Sequence, residues 1–313
     1  MKLIGKTLLF LIGPLYLNGL YSQQEASFNL YMFNNQSFNS GYVGSKNYST
    51  FTLLNRSQWA GFDGSPKTGS FSYINARSRK NLAFAITGII DQIGPVQSNQ
   101  FSTDLAYQLK LNSKNNFIGL GLKLSASFFD YNANILNPQQ KNDQVLFQNN
   151  VENYLEPNIG FGFYYHTPNF YLGYSIPGFI ENDNYYLKRH HYFLTGGLLK
   201  MSPSLQLKPS VLLKKVKATP LTYDFSVLLY LKNLFWIGPQ LKNYTNFSEN
   251  FNLSGVGVGA LAGLHLSKHI SVGYVYSNAL GILNSGNLTS HEMLIRYELS
   301  PKELGILRSP RIF

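Results

Sequence analysis

The sequence predicts an all-β fold, a transmembrane outer-membrane β-barrel of about 14 antiparallel strands, with short periplasmic turns and longer extracellular loops. Three observations carry this prediction: apolar and polar side chains alternate residue by residue, many alternating runs reach ten or more residues, and the connections are alternately short and long. Alternation with period two marks strands, and no sustained 3.6-residue period marks helices. Soluble strands usually run about five or six residues, whereas a strand tilted across a membrane needs roughly nine to eleven. A soluble β-sandwich is the competing source of such patterning, and both strand length and loop pattern count against it.

Composition agrees. Of 313 residues only 13% are charged and 15% are aromatic, against about 25% charged in a typical soluble domain. A surface this poor in charge meets something other than water. A hydrophobic fraction of 44% excludes intrinsic disorder. The absence of cysteine excludes zinc ribbons, iron–sulfur sites and disulfide scaffolds. The formal net charge of +11 permits nucleic acid or anionic glycolipid as a partner. The basic residues are scattered, however, and the densest group, Lys214, Lys215 and Lys217, reads as a solvated rim. No nucleic acid partner is expected.

Taken in order, residues 1–22 read as a signal peptide, with Lys2 and Lys6 ahead of an apolar run from Leu8 to Leu20 and small Ser22 before Gln23. A membrane anchor is disfavoured because that run is shorter than the ~20 residues of a spanning helix. Residues 23–45, rich in Asn and aromatics, form a periplasmic or plug segment. The barrel occupies residues 46–300, and residues 301–313 form a C-terminal periplasmic tail.

Within the barrel, Ile118, Leu120, Leu122, Leu124, Ala126 and Phe128 share one strand face opposite Gly119, Gly121, Lys123, Ser125 and Ser127. Residues 255–266 repeat the pattern with glycines on the polar side. In the last strand Met293, Ile295, Tyr297 and Leu299 oppose Glu292, Arg296 and Glu298, with Leu294 the exception. The candidate lumen-facing residues are therefore Lys110, Lys123, His265, Glu292, Arg296 and Glu298. Rows of lumenal glycine leave room for a plug, a partner's segment or a solute. Aromatics gather at strand ends, as girdles at headgroup level do. Short turns are expected near residues 77–80, 112–115, 167–169, 201–204, 232–233 and 267–269. Longer stretches are expected at 60–66, 91–99, 130–153, 178–188, 216–220, 242–252 and 279–289.

No enzyme signature is present. Gly119-Leu120-Gly121 and Gly255-Val256-Gly257 lie within alternating strands and open no helix, so they are not phosphate loops. His190 and His191 lack a second ligand at metal spacing. No nucleophile–base or paired-carboxylate set can be assembled. Catalytic, cofactor-binding and metal residues are all expected to be absent.

The mature N-terminus holds an unusual set: Tyr31-Met32-Phe33-Asn34, then Phe38-Asn39-Ser40-Gly41-Tyr42-Val43-Gly44, then Arg56-Ser57-Gln58-Trp59-Ala60-Gly61-Phe62-Asp63-Gly64-Ser65-Pro66-Lys67-Thr68. It resembles the PorP/SprF family of Bacteroidetes outer-membrane proteins, whose pattern runs approximately Q-Y-M-F-N, I-N-P-A-Y-A-G and R-x-Q-W-x-G-x-x-G-x-P-x-T. Asp91-Gln92-Ile93-Gly94-Pro95, Asp104-Leu105-Ala106-Tyr107, Ser290-His291-Glu292 and Ser309-Pro310-Arg311-Ile312-Phe313 match as well. Where the family has Asn-Pro-Ala-Tyr this chain has Asn39-Ser40-Gly41-Tyr42, which predicts a looser turn. The block Arg56, Gln58, Trp59, Gly61, Asp63, Gly64, Pro66 and Thr68 is a candidate structural lock or partner contact. Asp63-Gly64 is suited to positive φ and Pro66 presets the exit from the loop. Tyr31, Phe33, Asn34, Asn39, Tyr42 and Gly44 form a candidate N-terminal contact.

The resemblance implies a role in type IX secretion and gliding. In that reading a non-enzymatic barrel docks the C-terminal domain of a large secreted adhesin and links it to periplasmic and outer-membrane components of the apparatus. Its surroundings are outer-membrane lipid. The alternative is an outer-membrane solute channel with anion preference.

Overall fold

The computed structural model describes residues 26–113, 115–131, 154–182, 188–217, 219–232, 234–243, 256–280 and 289–299. The expected signal peptide, the C-terminal tail and most of the connections 130–153, 242–252 and 279–289 lie outside the described residues.

Alternating sequence becomes one antiparallel sheet. In chain order its strands are β1 (Ser49–Ser57), β2 (Lys67–Ile74), β3 (Leu82–Ile93), β4 (Val96–Lys110), β5 (Phe117–Tyr131), β6 (Tyr154–His166), β7 (Phe170–Ile176) and β8 (His190–Gly197). There follow β9 (Leu199–Ser202), β10 (Leu205–Val216), β11 (Thr222–Leu231), β12 (Phe235–Asn243), β13 (Val256–His265), β14 (Ile270–Leu280) and β15 (Thr289–Leu299). Each pairs with its sequence neighbour, except that β8 pairs with β10 and not with β9, and β1 pairs with β15 from Ser49↔Leu299 to Ser57↔His291. That last ladder closes the sheet and leaves no edge to aggregate.

β8 and β9 pair with the same edge of β10 and act as one broken strand, so the barrel has fourteen staves. The break has a local cause. Leu198 turns inward to 3% exposure, and its amide donates to the Asn169 carbonyl at 2.8 Å. The preceding Gly196 has no room for a side chain, since a Cβ would lie 2.3 Å from the Tyr171 hydroxyl.

The two faces follow the sequence pattern. On β4, Ser102, Asp104, Ala106 and Gln108 are buried while Phe101, Leu105 and Tyr107 are exposed. On β15, Glu292, Leu294, Arg296 and Glu298 are buried while Met293, Ile295 and Tyr297 are exposed. Apolar-out and polar-in is the arrangement of a membrane barrel, since lipid removes the penalty for exposed Leu and Phe. The protein is an outer-membrane β-barrel.

Two expectations need correction. Residues 91–99 are not a loop: β3 continues to Ile93 and β4 starts at Val96, with pairs from Ile93↔Val96 through Ile90↔Asn99. Gly94, at φ +55°, closes a tight hairpin, and the polar residues belong to strands prolonged into water rather than to coil. Lys110 is exposed at the end of β4, where Leu109 and Lys110 are both exposed and alternation no longer selects an interior face.

Candidate functional site

The interior is occupied by the chain's own N-terminal segment. Residues 26–48 run from Ser27, beside Arg56 near the long-loop end of β1, to Tyr48, just before β1 begins at the short-turn end. The segment makes three short 3-10 turns, Tyr31–Phe33, Asn35–Ser37 and Ser40–Tyr42. Such turns satisfy few of their own main-chain groups, and buried amides and carbonyls must find partners elsewhere.

The wall supplies them. The Glu292 carboxylate accepts the amides of Asn29 at 2.7 Å and Leu30 at 2.8 Å. Arg56 lies 3.9 Å from Glu292 and donates to the Ser27 carbonyl. Gln240 donates to the Asn29 carbonyl at 3.0 Å, and Arg296 donates to that of Phe33. Lys123 donates to the Gln36 carbonyl at 3.1 Å while paired with Asp104 at 2.9 Å. Gln108 donates to the carbonyls of Gly41 at 3.0 Å and Val43 at 2.6 Å. These six wall side chains, on β1, β4, β5, β12 and β15, hold main chain rather than side chains.

Side-chain packing completes the fit. The Tyr31 hydroxyl meets Ser210 at 3.1 Å and Ser226 at 3.3 Å. Phe33 stacks on Trp236 with centroids 5.0 Å apart, and Tyr42 meets Tyr164 edge-on at 5.3 Å. Phe28, Leu30, Tyr31, Met32, Phe33, Phe38, Tyr42 and Val43 join one buried cluster with inward Leu194, Leu228, Trp236, Leu261, Val275 and Leu294. Each such side chain contributes roughly 1.5–3 kcal/mol when fully buried. Leu294, the exception to polar alternation in the last strand, belongs to this buried apolar cluster.

Inward glycines let the segment touch the wall. A Cβ on Gly119 would lie 2.1 Å from the Gly41 carbonyl oxygen, and one on Gly121 would lie 2.3 Å from the Ser40 carbonyl carbon. The turn expected to be loose for lack of proline is held instead by Asn39, whose side chain accepts the Gly41 amide at 2.9 Å and donates to the Phe163 carbonyl at 3.1 Å.

The family model for the type IX secretion system membrane protein PorP/SprF matches residues 20–297. The chain belongs to this family. No match is found among curated proteins. Among solved structures, the CymD monoaromatic hydrocarbon channel is similar at 11% identity and a TM-score of 0.53, covering 90% of this chain and 96% of that one. The Acinetobacter baumannii outer membrane protein Omp33 is similar at 11% identity and a TM-score of 0.44, covering 81% and 99%. At these identities the likeness concerns the fold. Family and fold are those of a secretion or channel membrane protein.

In this PorP/SprF-family barrel the sequence-derived residues fall into two places. Tyr31, Phe33, Asn34, Asn39, Tyr42 and Gly44 are all buried inside, and so are Lys123, Glu292, Arg296 and Glu298. Gly44, at φ +78°, packs so close to Ala83 that a Cβ would lie 2.4 Å from the alanine Cβ. His265 is half-buried on β13, its Nδ1 2.8 Å from the Ser271 hydroxyl. Arg56 and Thr68 are also interior, with the Thr68 hydroxyl donating to Asp91 at 2.6 Å.

Gln58, Trp59, Gly61, Asp63, Gly64 and Pro66 build the connection between β1 and β2. The Gln58 amide closes it on the Pro66 carbonyl at 2.9 Å. The Trp59 amide donates to the Ser290 hydroxyl at 3.2 Å, and Gly94 donates to the Gly64 carbonyl at 2.9 Å. Positive φ falls on Trp59, Gly61 and Gly64, and Asp63 is not among these residues. The connection thus ties the start of β15 to the β3–β4 hairpin. Sequence reasoning missed Gln108, Gln240, Trp236, Ser210 and Ser226. Their available signal was a polar or bulky side chain at an inward position of an otherwise small-residue strand face.

Proposed function

We propose that this barrel is a non-enzymatic component of the type IX secretion and gliding apparatus that helps export or anchor a large cell-surface adhesin. It docks the adhesin's C-terminal domain and links it to periplasmic and outer-membrane components of the machinery. The observation that carries this reading is the family match across residues 20–297. The occupied interior supports an anchor over an anion-preferring channel. Arg56, Lys123 and Arg296, which would line an ion path, are engaged with the carbonyls of Ser27, Gln36 and Phe33. The rigid connection 58–66, with Phe62 53% exposed at the long-loop end, supplies an outward surface for a partner.

The test is deletion of the gene in its host, followed by protease shaving and mass spectrometry of the cell surface. Loss of one or a few large adhesins with the membrane intact supports the proposal. An unchanged surface proteome overturns it and favours the channel.

A further inference from the structure

One sector of the outward face carries cations where a membrane barrel is otherwise apolar. On β7 the Tyr174 ring points outward, and its hydroxyl lies 2.8 Å from His191 Nδ1 on β8. His191 is the register partner of Lys215 on β10. Lys215 is exposed, whereas its neighbour Lys214 reaches inward over Tyr192, so the two lysines take opposite faces. Lys217 follows, exposed, and Arg189 stands half-buried just before β8. The Arg189 guanidinium donates to the Phe179 carbonyl at 2.9 Å and lies 5.7 Å from that ring, while its amide donates to Glu181 at 3.1 Å. Phe179 and Ile180 are themselves exposed.

A second outward Tyr–His pair provides an internal comparison. Tyr274 and His291 meet at 2.6 Å on β14 and β15. Next to them in register come Ser57 and then the single cation Lys67. The geometry recurs, and among the described residues the cation cluster does not.

We infer that the β7–β10 sector binds a phosphorylated glycolipid of the outer leaflet. Arg189, Lys215 and Lys217 face its phosphate, the Tyr174–His191 pair hydrogen-bonds its headgroup, and Phe179 and Ile180 lie along its acyl chains. Both location and charge select this occupant. The patch sits on the membrane face at the long-loop rim, where aromatic girdles meet headgroups, and clustered basic residues at a membrane surface attract anionic lipid. Among the described residues Glu181 is the acid in the patch, and three cations outweigh it.

The test is native mass spectrometry of the full barrel in detergent, with diphosphoryl lipid A as probe and phosphatidylethanolamine as zwitterionic control. Folding of each variant is checked by heat-modifiable gel mobility. The R189Q/K215Q/K217Q variant is expected to retain about tenfold less lipid A than wild type, or less still. R79Q/K80Q/K110Q, which removes three exposed cations from the opposite rim, should retain the wild-type amount. Tyr174→Phe, which keeps the ring, should lose several-fold, and it serves as the second variant if the triple fails to fold. Equal retention by the two triples, equal retention of phosphatidylethanolamine, or displacement by inorganic phosphate alone would overturn the assignment.

Discussion

The two halves of the inner segment are held by opposite means. Residues 27–33 are gripped by charge and by long side chains, with Arg56, Gln240, Glu292 and Arg296 each reaching a main-chain group. Residues 39–43 meet no charged wall side chain among the bonds above; apart from the neutral Gln108, they lie directly on wall backbone, where Gly119, Gly121 and Gly162 leave no space for a Cβ. A long side chain can follow a small shift but leaves a buried charge stranded when its partner goes. Glycine contact tolerates any charge change but no added volume. The first half is therefore sensitive to charge deletion and the second to size.

Glu292→Ala is expected to have the largest effect. It strands the buried Arg56 guanidinium and frees two amides, at a cost of about 3–5 kcal/mol, read as a lower urea midpoint of the refolded barrel in detergent. Glu292→Gln, which keeps the shape and one acceptor, should fall between this variant and wild type. Trp236→Ala removes the ring under Phe33 and should cost about 3 kcal/mol in the same assay. Gly121→Val adds bulk against Ser40 and should cost about 1–3 kcal/mol, together with new protease cleavage between residues 36 and 45. A Gly121→Val barrel as stable and protected as wild type would remove the size-critical half of the comparison. Asp63→Ala, on the exposed connection, should change stability by less than about 0.5 kcal/mol. Under the adhesin reading it should still lower adhesin retention at the surface.

Much of this was legible in the chain, for reasons that differ by region. Lipid-facing alternation such as Leu120, Leu122 and Leu124 shows in sequence because one environment acts on every second residue. The Arg56–Thr68 block is compact, so its pattern survives as a motif. Contacts of the inner segment are not local: Asn29 finds Glu292 and Gln240, and Tyr31 finds Ser210 and Ser226, each pair far apart in the chain. Only closure of the sheet brings them together. Alternation also misplaced two features. The tight hairpin at Gly94 reads as coil because the strand ends that flank it are polar, and Lys110 falls on the inward side of the alternating pattern but is exposed at the end of β4. Glycine rows announce space beside the wall, and the inner segment fills it with Ser40 and Gly41.

Single-channel recording of the intact chain in planar bilayers tests the occupied interior most directly. With residues 27–43 tied to strands around the wall, the purified barrel should pass no steady ion current across a wide voltage range. Steady, anion-selective open-pore conductance from the intact protein would contradict the account and restore the channel reading.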